Sequence, residues 1–158
     1  MMREDKIRRV PMLISAMAAV AFAVIPLPQV LDALRPDLPV LVVLYWSIES
    51  PRAGGLGLAF FTGLALDVIN GVVLGQHALA LTLMAAWATH LRLRLRVFSL
   101  LSQSLTIFML LTLYQFILFW IDGATGNPVV NFARWLAPIV GAVFWPVVSG
   151  LLNRVRER

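Results

Sequence analysis

A chain of 158 residues that is 60% hydrophobic and only 13% charged has too little polar surface for a soluble domain, which is about 45–50% apolar and about 25% charged. Its net charge of +5 sits in short clusters between apolar runs rather than in one basic stripe, which excludes a nucleic-acid partner and favours membrane-orienting loops. With no cysteine in the chain, disulfides, thiol chemistry and cysteine-ligated metals are excluded as well.

The mean hydropathy of +0.86 points to an all-α polytopic membrane protein, a single integral domain covering residues 1–158 with the lipid bilayer as its solvent. Crossing about 30 Å of hydrocarbon takes about 20 helical residues, and six segments qualify as spans. The first, about 10–31, follows Arg8 and Arg9. Pro26, Leu27, Pro28 and Gln29 make a poor cleavage site, so it reads as a retained span rather than a signal peptide. Pro26 and Pro28 are expected to kink or end it. The second, about 36–50, is strictly apolar only from Leu38 to Ile48, about 16 Å of helix. Merging it with the first gives a five-span alternative. The remaining spans are about 53–71, 76–91, 100–121 and 134–152.

Loop charges favour six. With the N-terminus inside, the cytoplasmic segments hold Arg3, Lys6, Arg8, Arg9, Arg52, Arg92, Arg94, Arg96, Arg154, Arg156 and Arg158, against Arg35 and Arg134 outside. That asymmetry is a positive-inside pattern with both termini cytoplasmic. The segment RLRLRVF, 92–98, alternates with period two, as a strand would. At a span end, Arg92, Arg94 and Arg96 read better as a cytoplasmic basic anchor whose heads reach the headgroups; a partner-docking or anionic-lipid role is the alternative. Tyr45, Trp46, Trp87, Trp120 and Trp135 lie near predicted span ends, as an interfacial aromatic belt should. Trp145, with Pro138, Gly141 and Pro146, suggests an irregular sixth helix packed on protein.

The stretch LALDVINGVVLGQHALAL, Leu64 to Leu81, places Asp67, Asn70, Gln76 and His77 within an apolar run. On a helix, Gly55, Ala59, Gly63, Asp67 and Gly71 share one face at i+4 spacing. The four small residues form a helix-packing ladder that admits a close neighbour. Asp67 is then expected to face that neighbour or a cavity, with Asn70, Gln76 and His77 as its partners in a polar latch. The latch can tie two spans together, relay protons or bind a small cation through Asp67 and His77, or meet a partner's span. On the fifth span, Thr112 and Gln115 share a face and read as helix–helix contacts. Asp37 is placed to cap the second helix or to pair with Arg35.

No phosphate-binding loop, nucleophile elbow or HExxH motif is present. The two histidines are far apart, so no metal site is expected, and no cofactor or catalytic residue is implied.

Taken in order, RPDLPVLVVLYW (Arg35 to Trp46), GLALDVINGVVLGQHALAL (Gly63 to Leu81), LRLRLRVF (Leu91 to Phe98) and LLTLYQFILFWIDG (Leu110 to Gly123) resemble the MreD family of bacterial rod shape-determining membrane proteins, closest to its proteobacterial form. The spacing of Asp67, Gly71 and Gly75, with His77 just beyond, carries the resemblance most specifically. The resemblance implies a non-enzymatic inner-membrane component of the machinery that inserts peptidoglycan along the side wall. Its implied partners are MreC and, through MreC, the MreB filament and the elongation transglycosylase–transpeptidase pair. It also implies a compact six-helix bundle similar to the substrate-binding subunits of energy-coupling transporters. Two readings follow. One is a scaffold that seats the MreC membrane helix along the small-residue ladder; the other is a small-molecule-binding transporter subunit with Asp67, Asn70 and Gln76 lining its pocket.

Overall fold

A computed structural model describes residues 2–28, 31, 34–53, 55–126 and 132–157. The described residues form six α-helices of more than one turn and no strand: α1 (Met2–Val24), α2 (Leu38–Glu49), α3 (Gly55–Asn70), α4 (Gln76–Val97), α5 (Leu100–Ala124) and α6 (Ala137–Arg156). Short 3-10 turns at Pro51–Ala53 and Phe132–Leu136 precede α3 and α6.

The shortest helix stands at the centre. α2 packs against α1, α3, α4 and α6, and its residues from Pro39 to Ile48 are all buried. Twelve residues rise only about 18 Å, short of a hydrocarbon core. A helix sheathed by protein is apolar all round because it is core, and the length rule for lipid-facing helices does not bind it.

Tyr45 and Trp46 correct the aromatic-belt expectation, because they lie in this core at 3% and 0% exposure. Burial of such rings requires a partner for the polar tip. Trp46 Nε1 donates to Ser15 Oγ on α1 at 2.9 Å, and the Tyr45 hydroxyl donates to Asn153 Oδ1 on α6 at 2.6 Å. Trp87, Trp120 and Trp135 do face outward. Trp145 is buried as expected, its Nε1 donating to Gln103 Oε1 on α5 at 3.3 Å.

Two boundaries are set by local chemistry. α1 ends at Val24, ahead of Pro26 and Pro28, where proline forces the chain out of helical geometry. α4 runs through Arg92, Arg94 and Arg96 to Val97, so that segment is helix rather than loop. Its real punctuation is one residue later, where Phe98 turns extended and Ser99 Oγ accepts from Ser102 N to start α5.

The outside of the bundle carries many large apolar side chains. Met17, Phe61, Val68, Leu101 and Val143 are each more than two-thirds exposed, on four different helices. Contiguous apolar surface beyond a few hundred Å² is rare on soluble monomers. α5 and the stretch Phe132–Arg156 are each 25 residues long and apolar enough to cross a membrane; Arg9–Val24, α2 and α3 are shorter apolar helices.

Candidate functional site

The polar residues of the quoted stretch organise the turn between α3 and α4. α3 ends in a Schellman pair: Gly71 N–H donates to Val68 O at 3.3 Å, and Val72 N–H to Asp67 O at 3.2 Å. That motif needs a left-handed residue after the helix, and Gly71 supplies it at φ +62°. Gly75, at φ +101°, stands at the N-cap of α4. A glycine there has no side chain to satisfy the free N–H groups of the first turn.

Asp67 does so from the preceding helix. Its Oδ2 accepts from Gly75 N at 2.8 Å and Ala78 N at 3.4 Å; its Oδ1 accepts from His77 N at 2.7 Å. His77 Nδ1 lies 2.8 Å from the same Oδ1. The carboxylate is fully buried at the positive end of the α4 dipole, where a negative charge is favoured. Asp67, Gly71 and Gly75 are thus one device. The backbone of Asp67 closes α3, two glycines turn the chain, and the Asp67 side chain opens α4.

The small-residue ladder faces inward. A β-carbon on Gly63 would sit 2.5 Å from Ala78 N and 2.8 Å from the His77 carbonyl carbon, so only glycine fits where α3 crosses the start of α4. Ala59 is fully buried, and Gly55 abuts Ser47 of α2. Among the described residues, Gly55, Ala59 and Gly63 are covered by the chain's own helices, Gly55 by α2 and Gly63 by α4. Gly71 corrects the ladder itself: it is exposed with open space around it, and its role is the turn.

Gln76 and Asn70 part company with Asp67. Gln76 Nε2 donates to Asp122 Oδ1 on α5 at 2.5 Å. Arg134, in the turn before α6, donates from Nη1 to Asp122 Oδ2 at 2.5 Å and from Nε to Gln115 Oε1 at 2.9 Å. Gln115 Nε2 reaches Asp37 Oδ2 at 3.3 Å. Asp37 stands at the N-cap position of α2, but its side chain makes no capping bond. This second network ties the beginnings of α2, α4 and α6 to the end of α5. The sequence reading missed Asp122 and Gln115 as members. The available signal was a pair of opposite charges, Asp122 and Arg134, flanking the connection from α5 to α6, whose residues 127–131 lie outside the described part. Asn70 is exposed and makes no bond to Asp67.

Between the two networks lies a cavity of about 300 Å³, lined among others by Asp37, Asn70, His77, Tyr114, Gln115 and Arg134. Asp67 and Gln76 are spent on the networks and do not line it. Among the described residues no group of three histidines and carboxylates is placed to hold a metal ion. At the other end of the bundle, Arg96 donates to the Glu49 carbonyl at 2.9 Å and to Glu49 Oε2 at 3.2 Å, and Arg156 pairs with the same Oε2. Arg92 is half-buried and Arg94 exposed.

A family model described as "rod shape-determining protein MreD" matches residues 4–155. A rod shape-determining protein MreD from Haemophilus influenzae is 29% identical over 133 residues, which cover 84% of this chain and 82% of that protein. No solved structure matches the chain. A match that runs through both networks and nearly the whole length leaves a plain conclusion: the chain belongs to the MreD family of rod shape-determining proteins.

Proposed function

We propose that this chain crosses the bacterial inner membrane six times, with the latch facing the periplasm and the basic end in the cytoplasm. In this reading it is a non-enzymatic scaffold of the cell-elongation machinery. It binds MreC and, through MreC, helps organise the MreB filament and the transglycosylase–transpeptidase pair at the side wall. One observation carries the reading: large apolar side chains lie both inside and outside a bundle whose buried Asp67 and Asp122 are hydrogen-bonded within it. A chain built this way offers partners a lipid-facing surface held in fixed shape. Because the ladder is occupied internally, the partner's helix meets an outer face rather than the α3 row.

The test is affinity purification from native membranes after mild crosslinking. Co-recovery of a single-span protein with a periplasmic domain, together with wall synthases, is expected. Recovery of an ATPase pair with a coupling membrane subunit instead would contradict the scaffold.

A second reading, a small-molecule-binding subunit similar to those of energy-coupling transporters, draws on the 300 Å³ cavity, the lower end of ligand-pocket sizes. It predicts a vitamin or cell-wall precursor that raises the melting temperature of the detergent-solubilised protein. A screen of both classes that leaves the melting temperature unmoved counts against it.

A further inference from the structure

A second cavity, of about 240 Å³, opens at the end opposite the latch, between the C-terminal ends of α2, α4 and α6 and the start of α5. Arg96 and Arg156 both line it, and both bond a single carboxylate oxygen, Glu49 Oε2. Two guanidiniums face the one carboxylate that lines the cavity. Each guanidinium has five N–H donors, and the side chains remain 47% and 31% exposed, so donors are left over. Asn153, also in the wall, accepts from the Tyr45 hydroxyl through its oxygen, which leaves its amide N–H groups uncommitted. The wall thus keeps N–H donors open, as an anion requires, beside the one Glu49 side-chain oxygen that accepts from neither guanidinium.

The rim identifies the kind of anion. Leu100 lines the mouth and is 57% exposed, and Val97 and Leu101 beside it are exposed still further. Open donors beside bare apolar side chains fit an amphiphile, a charged head with a hydrocarbon chain attached. An acidic peptide or a free phosphate would use the guanidiniums and leave the apolar rim unserved.

We propose that this cavity is a binding site for an anionic phospholipid, its phosphate on Arg96 and Arg156 and an acyl chain along the apolar rim of α4 and α5. The site rests on the membrane reading above, which places this end among the cytoplasmic headgroups. Glu49 then acts as a tethered competitor that holds the two guanidiniums together when no lipid is present.

Native mass spectrometry of the full chain tests this, with micelles carrying equal amounts of dioleoylphosphatidylglycerol and dioleoylphosphatidylcholine. Preferential retention of the phosphatidylglycerol is expected. Arg96→Gln should weaken it about fivefold, the weight of one basic side chain near an anionic surface. Glu49→Gln removes the competitor and should tighten it, whereas a purely structural ion pair would give no gain. Equal retention of the two lipids overturns the proposal, as does weaker phosphatidylglycerol binding in Glu49→Gln. Displacement of the lipid by inorganic phosphate at equal concentration overturns it too, since the site would then serve a free anion. An alkaline carbonate wash separates this failure from that of the underlying reading. A chain stripped from the membrane by the wash is not integral. A chain that stays but shows no lipid preference loses only this site.

Discussion

The Asp67 carboxylate accepts from three backbone N–H groups and faces one imidazole nitrogen. Asp67→Ala therefore orphans the first turn of α4 and strands the His77 ring at once. Loss of a cap alone costs about 1 kcal/mol, and an unsatisfied buried donor a further 1–3 kcal/mol or so. A loss of about 2–4 kcal/mol in detergent unfolding is expected for Asp67→Ala. His77→Ala, which keeps the backbone bonds, should lose about 1 kcal/mol. Equal losses from the two would mean that the imidazole, not the backbone cap, is what the carboxylate serves. The glycines of α3 make a second contrast. Gly63→Ala drives a methyl into the backbone of α4 and should destabilise by about 1–3 kcal/mol. Gly57→Ala, with nothing within 4 Å, should stabilise the helix by about 0.5–1 kcal/mol. A melting comparison of the two variants reads out which glycines are packing and which are open.

Between elements, the Asp122–Arg134 pair joins the end of α5 to the turn before α6, with Gln76 bringing in α4. Removing one partner of a buried pair leaves the other charge unpaired, at about 3–5 kcal/mol. Replacing both with apolar residues of similar size is often neutral. Asp122→Leu should thus destabilise strongly, and Asp122→Leu with Arg134→Met should recover most of the loss in equilibrium unfolding; additive losses would show the pair does not act as a unit. Much of this level was legible in the sequence. Six apolar runs correspond in order to six helices, and the place of Asp67 on the i+4 row gave its burial correctly. What stayed hidden has physical reasons. The main partners of Asp67 are backbone amides, which leave no mark in the sequence. Gln76 and His77 are neighbours in the chain, but adjacent residues point about 100° apart around a helix; one side chain turns to α5, the other to α3. Tyr45 and Trp46 looked interfacial because the end of an apolar run implies a membrane surface only when the helix touches lipid, and α2 is sheathed by four others.

Across the whole molecule, charge is sorted by end. Arg52, Arg96 and Arg156 gather at the end where α2, α4 and α6 finish, while Asp37, Asp67, Asp122 and Arg134 are tied into networks at the other. An apolar mantle between two differently charged ends is the feature on which the scaffold reading, the lipid site and the orientation all depend. The chain has no cysteine, so single cysteines can be placed without background. The decisive measurement is sided labelling with a membrane-impermeant maleimide, in intact spheroplasts and in inverted inner-membrane vesicles. The positions are Arg52→Cys, Arg94→Cys and Arg154→Cys at the basic end, and Val73→Cys and Gly126→Cys at the latch end. The three basic-end positions are expected to react only in inverted vesicles and the two latch-end positions only in spheroplasts. Labelling of both groups from one side, or a basic-end group split between sides, would contradict a bundle that crosses the membrane six times.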